Sequence, residues 1–370
     1  MKGTLKRLRD AIWHKDFSAD QLRRYVGEYQ KCYFTYAGDE SLRANAASGG
    51  SVSALLVYLL ESGQIDGALV CRTVIRNGHA RPEFVIARTR EEIMAAQGSK
   101  YAAVYFTNDA LPLLQEFDGR AAVVALPCDA TILQRTRAKL PDLDRKIALV
   151  ITLFCGHNSE PVLTDAIVRR LGKGHGALTG YRWRTGHWRG RLEATFADGT
   201  QVVRPFETFS DYRNLYFFAQ PKCHHCFDHF GYHCDISAGD IWSPRMKAHP
   251  IKHTALITRT AAGQALVEAA LAAGVLVGSE EPIEEVVNGQ ARTAPFHYNV
   301  TVRARVGRLF RLRIKDRTDA PVRPVDYLIA FIALLNERIS RTRPGRWLIL
   351  HTPRPIIRLY LYVLKGLESL

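Results

Sequence analysis

Ala121-Ala122-Val123-Val124-Ala125-Leu126-Pro127-Cys128 and Ile147-Ala148-Leu149-Val150-Ile151-Thr152-Leu153-Phe154-Cys155 are two versions of one arrangement. Each is a continuous apolar run of strand length, the pattern of a strand buried on both faces, and each stops at a cysteine. A helical pattern follows both, from Asp129 to Lys139 and from Pro161 to Leu171. Strand and helix alternating in this way predict an α/β fold, with a largely parallel or mixed sheet flanked by helices. Sites in such sheets lie beyond the carboxyl ends of the strands, where Cys128 and Cys155 both stand. Two thiols delivered to one sheet edge by successive units can meet at one centre.

Working outward, Gly67 to Cys71 and Pro82 to Ala87 read as further strands, with Cys71 as a core residue. Thr89-Arg90-Glu91-Glu92 is a capping-box pattern that starts a helix through Ala96. A helix is expected near Ala19 to Tyr25, then an extended segment whose lone Cys32 reads as a small buried hydrophobe. Ala46-Ala47-Ser48-Gly49-Gly50-Ser51-Val52-Ser53 leads into an apolar helix from Ala54 to Ser62 that Gly63 ends. A Ser/Gly loop at a helix start suits a phosphate, and equally suits an ordinary cap. Gly98-Ser99-Lys100-Tyr101 suits a nucleotide phosphate or ring, and equally a helix C-cap with a solvated lysine. Gly180 to Gln201 is hairpin-like, with Asp198-Gly199 as its turn. Thr254 to Thr258 reads as a strand and Ala261 to Ala273 as a helix, and after Pro282 the chain is expected to cover the core.

The metal chemistry turns on Pro221-Lys222-Cys223-His224-His225-Cys226-Phe227-Asp228, followed by Cys234. A Cys-x-x-Cys pair can aim two thiolates at one centre. Zinc could complete a local tetrahedral site from His224, His225, His229, His233 or Cys234. A [4Fe-4S] cluster could instead take Cys128 and Cys155 from the strand ends. Spacing alone leaves both open.

Composition bounds the rest. The chain of 370 residues, 47% hydrophobic and 24% charged, reads as globular. Seven cysteines are an odd number and too scattered for a secreted disulfide scaffold, so a reducing cytoplasm is expected. Lys2, Lys6, Arg7 and Arg9 precede no apolar stretch long enough for a signal peptide. The apolar run from Tyr327 to Leu335 is too short to span a bilayer. The net charge is +15, and fifteen Lys/Arg against five Asp/Glu fall between Thr301 and Leu370. That region suits contact with an acidic surface, such as the inner face of a membrane or an acidic partner, or else a solubilising face; no specific nucleic acid is expected. Asp326 to Arg338 and Pro355 to Leu364 read as helices that lie on a membrane or partner, or pack on the parent fold.

Taken in order, Ala-Ser-Gly-Gly, Asp-Gly-Ala-Leu-Val, Gly-Ser-Lys-Tyr, Leu-Pro-Cys, Leu-Phe-Cys, Lys-Cys-x-x-Cys-x-Asp and Asp-Ile-Ser-x-Gly-Asp-Ile-Trp resemble the coenzyme F420 hydrogenase/dehydrogenase beta-subunit family, over roughly Tyr25 to Glu285. The resemblance implies an iron–sulfur flavin oxidoreductase that passes electrons between a [4Fe-4S] cluster, FAD and a second redox partner such as coenzyme F420 or ferredoxin. It implies Cys128, Cys155, Cys223 and Cys226 as cluster ligands, with Cys234 outside the set. Ser48, Gly49, Gly50, Gly98, Ser99, Lys100 and Tyr101 would line a flavin or deazaflavin site. His157 is the first candidate for a catalytic acid. Where the family often has Gly-Thr-Pro-Cys-Gln, this chain has Ala125-Leu126-Pro127-Cys128-Asp129, and Phe-Cys-His-Gly is replaced by Phe154-Cys155-Gly156-His157. The rival readings are a zinc-stabilised binding protein and an accessory redox protein of polysaccharide or pigment synthesis. The implied division is an N-terminal segment 1–44, a first family domain 45–118, a second 119–290 and a basic helical extension 291–370.

Overall fold

The structure, a computed structural model, describes residues 15–369. The basic stretch holding Lys2, Lys6, Arg7 and Arg9 lies outside the described residues. Apolar strand runs assemble into one eight-stranded sheet in the order β11-β1-β10-β9-β5-β4-β2-β3. Its strands are β1 (Lys31–Ala37), β2 (Gly67–Arg76), β3 (His79–Ala87), β4 (Ala121–Ala125), β5 (Ile147–Leu153), β9 (Ile236–Asp240), β10 (Thr254–Thr258) and β11 (Leu276–Glu280). The central strands β2, β4, β5 and β9 run parallel, while β3 on one side and β10, β1 and β11 on the other each pair antiparallel with their neighbours. The sheet is thus mixed, as the alternation predicts. A second sheet of three strands, β6 (Leu178–Thr185), β7 (Arg191–Phe196) and β8 (Gln201–Pro205), is the expected hairpin region, with Asp198-Gly199 in the β7–β8 turn.

The helices that matter to the site start where their sequences stop being strand-like. Helix α1 (Ala19–Val26) is closed by a Ser18 and Gln21 capping box. Helix α2 (Ser51–Glu61) begins at Gly50, whose φ of +80° is left-handed, and the chain leaves it through Gly63 at φ +68°. Helices α3 (Arg90–Ala95), α4 (Pro127–Arg137), α5 (Pro161–Leu171) and α6 (Ala261–Ala272) follow. Pro127 and Pro161 each occupy a first helical position, where a missing N–H costs nothing. Beyond them α7 (Val300–Gly307), α8 (Pro324–Arg341), α9 (Arg343–His351) and α10 (Arg354–Ser369) form the extension. No described helix is long and apolar enough to cross a membrane.

The extension packs on the smaller sheet. Ile329, Ala333, Ile349, Ile357, Leu361 and Leu364 share a core with Trp183, Leu192, Phe209 and Tyr212. Polar contacts fix the docking: Asn336 Nδ2 donates to the Leu215 carbonyl at 2.8 Å, and Phe218 N donates to Ser340 Oγ at 2.9 Å. This holds Tyr216 and Phe218 at φ +62° and +61°, a left-handed backbone that bulky residues rarely adopt. The loop they shape leads directly into the Cys-x-x-Cys segment.

Two sequence readings change here. Cys71 is not simply core: it is half-buried and lines the cleft described below. The strands read at 67–71 and 82–87 are one long hairpin, because Asn77-Gly78, at φ +52° and +72°, closes β2 onto β3. Cys32 is buried, as expected of a core thiol.

Candidate cofactor and metal site

The carboxyl ends of the parallel strands open into a cleft with a volume of about 300 Å³. Its floor is Val70 and Cys71 of β2, Ala125 of β4, Leu153 of β5 and Asp240 of β9. The start of α2 forms one side, and the 98–101 turn forms another. This is the edge at which parallel α/β sheets bind ligands.

Of the residues singled out for a flavin, Ser48, Gly50, Gly98, Ser99, Lys100 and Tyr101 line the cleft. Gly49 does not. Its N–H donates to Thr254 Oγ1 at 2.9 Å and its carbonyl accepts from Ala37 N at 2.8 Å, so it stitches the loop to β10 and β1. A Cβ there would lie 2.6 Å from the Thr35 carbonyl oxygen. Lys100 is held back too: its ammonium donates to the carbonyls of Ala96, Gln97 and Gly98, which end α3. It is a C-cap, but a half-buried one, and desolvation lowers its pKa to about 8. Tyr101 lies under the Arg213 guanidinium, 5.1 Å from its ring centre, and its hydroxyl accepts from Arg184 at 3.2 Å.

Asp240, part of the Asp-Ile-Ser-x-Gly-Asp-Ile-Trp motif, anchors the cleft wall together with Arg184, which no sequence pattern marks. The guanidinium is 2% exposed and bonds both Asp240 oxygens at 2.6 and 2.7 Å while donating to the Ala47 carbonyl at 2.6 Å. One fork therefore ties β6 to β9 and to the Ser/Gly loop. Burial pushes the Asp240 carboxyl up, but Arg184 outweighs it and holds the group below the usual carboxylate range. The stability this adds is complete above the unfolded carboxylate pKa and is lost as pH falls through the lower folded value. Asp240→Asn, which retains one acceptor, is expected to cost about 2 kcal/mol by chemical denaturation. Gly239 beside it has no room for a side chain, since a Cβ would meet Phe154 Cδ2 at 1.9 Å. Gly239→Ala is expected to lower stability by about 1–3 kcal/mol in the same measurement, by pushing Phe154 into the cleft.

Four thiols gather at the end of this cleft. Cys128 begins α4, Cys155 follows β5, and Cys223 and Cys226 sit on the short helical turn Pro221–His225 and just after it. Burial raises all four, that of Cys226 to about 12, and each of Cys128, Cys155 and Cys226 is raised further by others of the set. Such coupling requires the four to share one neighbourhood. Asn158 N donates to Cys223 Sγ at 3.3 Å, and Cys155 and His229 exchange bonds, Cys155 N to the His229 carbonyl at 3.0 Å and His229 Nδ1 against the Cys155 carbonyl at 3.1 Å. Cys155 also lines the cleft, so the thiol group and the cleft share a wall.

Cys234 takes no part. Its thiol lies 3.1 Å from Thr152 Oγ1 and 3.3 Å from Ser237 Oγ and donates to the Gly231 carbonyl at 3.2 Å, between β5 and β9. Among the described residues, no three His, Cys, Asp or Glu side chains are set to hold a single metal ion. Ligands of one zinc converge at about 2.0–2.3 Å from a common centre. A cluster places each thiolate on a different iron, so its ligands stand farther apart.

The surroundings are cationic. Arg303 of α7 is fully buried and has no carboxylate partner among the described residues. It donates to the carbonyls of His224 at 2.9 Å, Cys226 at 2.5 Å and His297 at 3.0 Å, and to that of Phe296. Burial lowers it to about 10, so it remains charged at neutral pH. Lys222, which burial alone would lower, is held above its ordinary value by the Cys128 thiol and Asp129. A buried guanidinium without a carboxylate calls for an anion, and four thiolates around a cluster would be one.

His157 lines the cleft, stacked on Tyr216 with ring centres 4.9 Å apart. Burial, aided by Arg213, keeps its imidazole neutral. Its Nε2, with Gln97 Oε1 and Arg213 Nε, is buried without a hydrogen-bond partner, and all three residues face the cleft. Buried polar atoms are normally paired, so a polar ligand fits this wall.

A mixed α/β sheet with thiols massed at the carboxyl edge and a ligand cleft against them has the layout of an oxidoreductase subunit. The relationships to known proteins bear this out. Residues 32–111 match the N-terminal part, and 118–284 the C-terminal part, of the coenzyme F420 hydrogenase/dehydrogenase beta subunit, and the chain belongs to that family. It is 26% identical over 270 residues to the coenzyme F420 hydrogenase subunit beta of Methanosarcina barkeri, covering 72% of this chain and 86% of the relative. It is 25% identical over 272 residues to the subunit of the same name from Methanothermobacter thermautotrophicus, covering 71% of this chain and 88% of that one. A chain of the F420-reducing [NiFe] hydrogenase complex from Methanosarcina barkeri has the same fold, with a TM-score of 0.58 at 24% identity over 76% of this chain and 94% of that chain.

Proposed function

We propose that this chain is an iron–sulfur flavoprotein that carries electrons between a [4Fe-4S] cluster, FAD and a second redox partner. The cluster would be held by Cys128, Cys155, Cys223 and Cys226, and the flavin would lie in the cleft against Ser48, Gly50, Gly98, Ser99 and Tyr101. The observation that carries the reading is the position of Cys155, which belongs both to the four-thiol group and to the cleft wall. When bound, the cluster supplies one-electron transfer and the flavin couples it to hydride-equivalent chemistry.

The chain's own contribution is placement and charge. The four thiols must lose protons to bind metal, and burial opposes that loss, so Lys222 and Arg303 offset the charge that appears. Asn158 N donates to Cys223 Sγ, and hydrogen bonds to cluster sulfurs raise reduction potential. His157, neutral and with Nε2 free, offers a hydrogen bond to the occupant of the cleft, which makes it the first residue to test for proton delivery. Helix α2 aims its N-terminus at the same space, where a phosphate gains from unpaired N–H groups.

Relatives named as subunits of F420 hydrogenase suggest a deazaflavin, or a partner redox protein, as the second substrate. Anaerobic purification followed by iron, sulfide and flavin analysis tests the reading, with about four iron, four sulfide and one FAD per chain expected. Colourless protein containing one zinc would overturn it. Reduction assays with F420 against reduced ferredoxin then identify the partner.

A further inference from the structure

Helix α10 is apolar on two opposite faces. Ile357, Leu361 and Leu364 enter the core, as the 3.6-residue repeat requires. The face opposite them carries Ile356, Leu359, Tyr362 and Val363, exposed to 57%, 66%, 65% and 53%. In α9, Ile349 enters the same core while Trp347 and Leu348 stand outside, Trp347 at 63% exposed. A solvent-facing helix normally turns charged residues outward, and one that is apolar all round is normally covered. Exposed apolar residues concentrated in this way mark an interaction surface.

The exposed charge that the extension helices themselves carry has one sign. Between Pro324 and Ser369 the only carboxylates are Asp326, Glu337 and Glu368. Their side chains are 14%, 2% and 4% exposed, and each is paired with an arginine. Arg354 and Arg358 flank the outer face of α10 and share the single buried carboxylate of Asp211, at 3.5 and 3.1 Å. Arg343, at the start of α9, is exposed and pairs with no carboxylate among the described residues. We propose that the outer faces of α9 and α10 dock this protein on an anionic lipid bilayer, with Trp347 and Tyr362 at headgroup depth and the arginines against lipid phosphates.

Two features select the bilayer. A second copy of the chain would bring the same cations to the contact, where like charges repel. The aromatic and aliphatic side chains stand out from helices on the surface, with tryptophan and tyrosine beside arginine, the composition of an interfacial helix. The binding is peripheral, since no described helix can span the membrane.

The test is co-sedimentation of the full-length, cofactor-loaded protein with vesicles of phosphatidylcholine alone or mixed equally with phosphatidylglycerol. Binding to the mixed vesicles is expected to exceed binding to neutral ones at least tenfold and to weaken as salt rises. The double variant Ile356→Glu, Leu359→Glu is expected to stay in the supernatant with unchanged melting temperature and iron content, because both side chains point away from the core. Wild type remaining in the supernatant with mixed vesicles overturns the proposal, leaving an acidic protein as the candidate for this face. Equal binding of wild type and variant also overturns it. So does a lipid-free dimer that the variant dissolves, which would assign the face to a second copy.

Discussion

Cys128→Ser and Cys155→Ser are each expected to strip the protein of its cluster, taking bound iron from about four per chain to less than about one. Cys223→Ser and Cys226→Ser are expected to do the same. The reason is geometric: the four thiols come from the start of α4, the end of β5 and the Pro221–His225 turn, and each reaches the others' neighbourhood. Losing one ligand leaves an iron site open to solvent and three half-buried thiolates without their full compensation. Cys234→Ser is the decisive control. Its thiol is bonded to Thr152, Ser237 and Gly231 inside the sheet, so iron is expected to stay at the wild-type level with only a modest loss of stability. A local zinc clip predicts another pattern, in which Cys128→Ser and Cys155→Ser leave the metal untouched. Iron and zinc analysis of the five anaerobically purified variants separates the two.

The parts of this site that were legible share a property: their signal is local. Strands β4 and β5 are unbroken apolar runs, and proline then fixes the start of α4 and α5, so Cys128 and Cys155 could be placed at a sheet edge without any knowledge of contacts. The Cys-x-x-Cys turn is local as well. Asn77-Gly78 was legible in principle, since it is a strong hairpin signal, but it lies among charged residues that break the strand pattern. Strand β9 stayed hidden because Ile236-Ser237-Ala238-Gly239-Asp240 is short and small, and only pairing with β5 and β10 makes it a strand. Arg184 meets Asp240 across 56 residues, and Arg303 meets Cys226 across 77. No periodicity marks either arginine, for a buried guanidinium is chosen by the carbonyls and carboxylates that topology brings to it. Lys100 shows the converse, because its place in a Gly-Ser-Lys-Tyr turn suggests a phosphate contact while the carbonyls ending α3 claim its ammonium.

Arg303→Met is expected to lower stability by about 3–5 kcal/mol in chemical denaturation and to reduce cluster content at least by half. A methionine fills much of the volume, so the loss is one of hydrogen bonds and charge. The guanidinium holds the carbonyls of His224 and Cys226, which fix the direction of the Cys-x-x-Cys turn, and those of Phe296 and His297, which fix the chain leading into α7. With no carboxylate among its described partners, its charge meets only carbonyl dipoles until the nearby Cys223 and Cys226 thiols lose their protons. That predicts a dependence ordinary buried arginines do not have. In the cluster-free protein the unpaired cation is a burden, so Arg303→Met should cost less there than in the loaded protein, where the anion it faces is present. Arg303→Lys keeps the charge but not the fork, and is expected to retain more cluster than Arg303→Met while still loosening the turn. Denaturation of both variants with and without cluster measures the coupling; an equal cost in the two states would mean that Arg303 only packs. Because Arg303 lies past the family-matched residues 118–284, the same experiment asks whether the extension is part of the redox site. The hold on four carbonyls, two in the turn and two on the approach to α7, argues that it is.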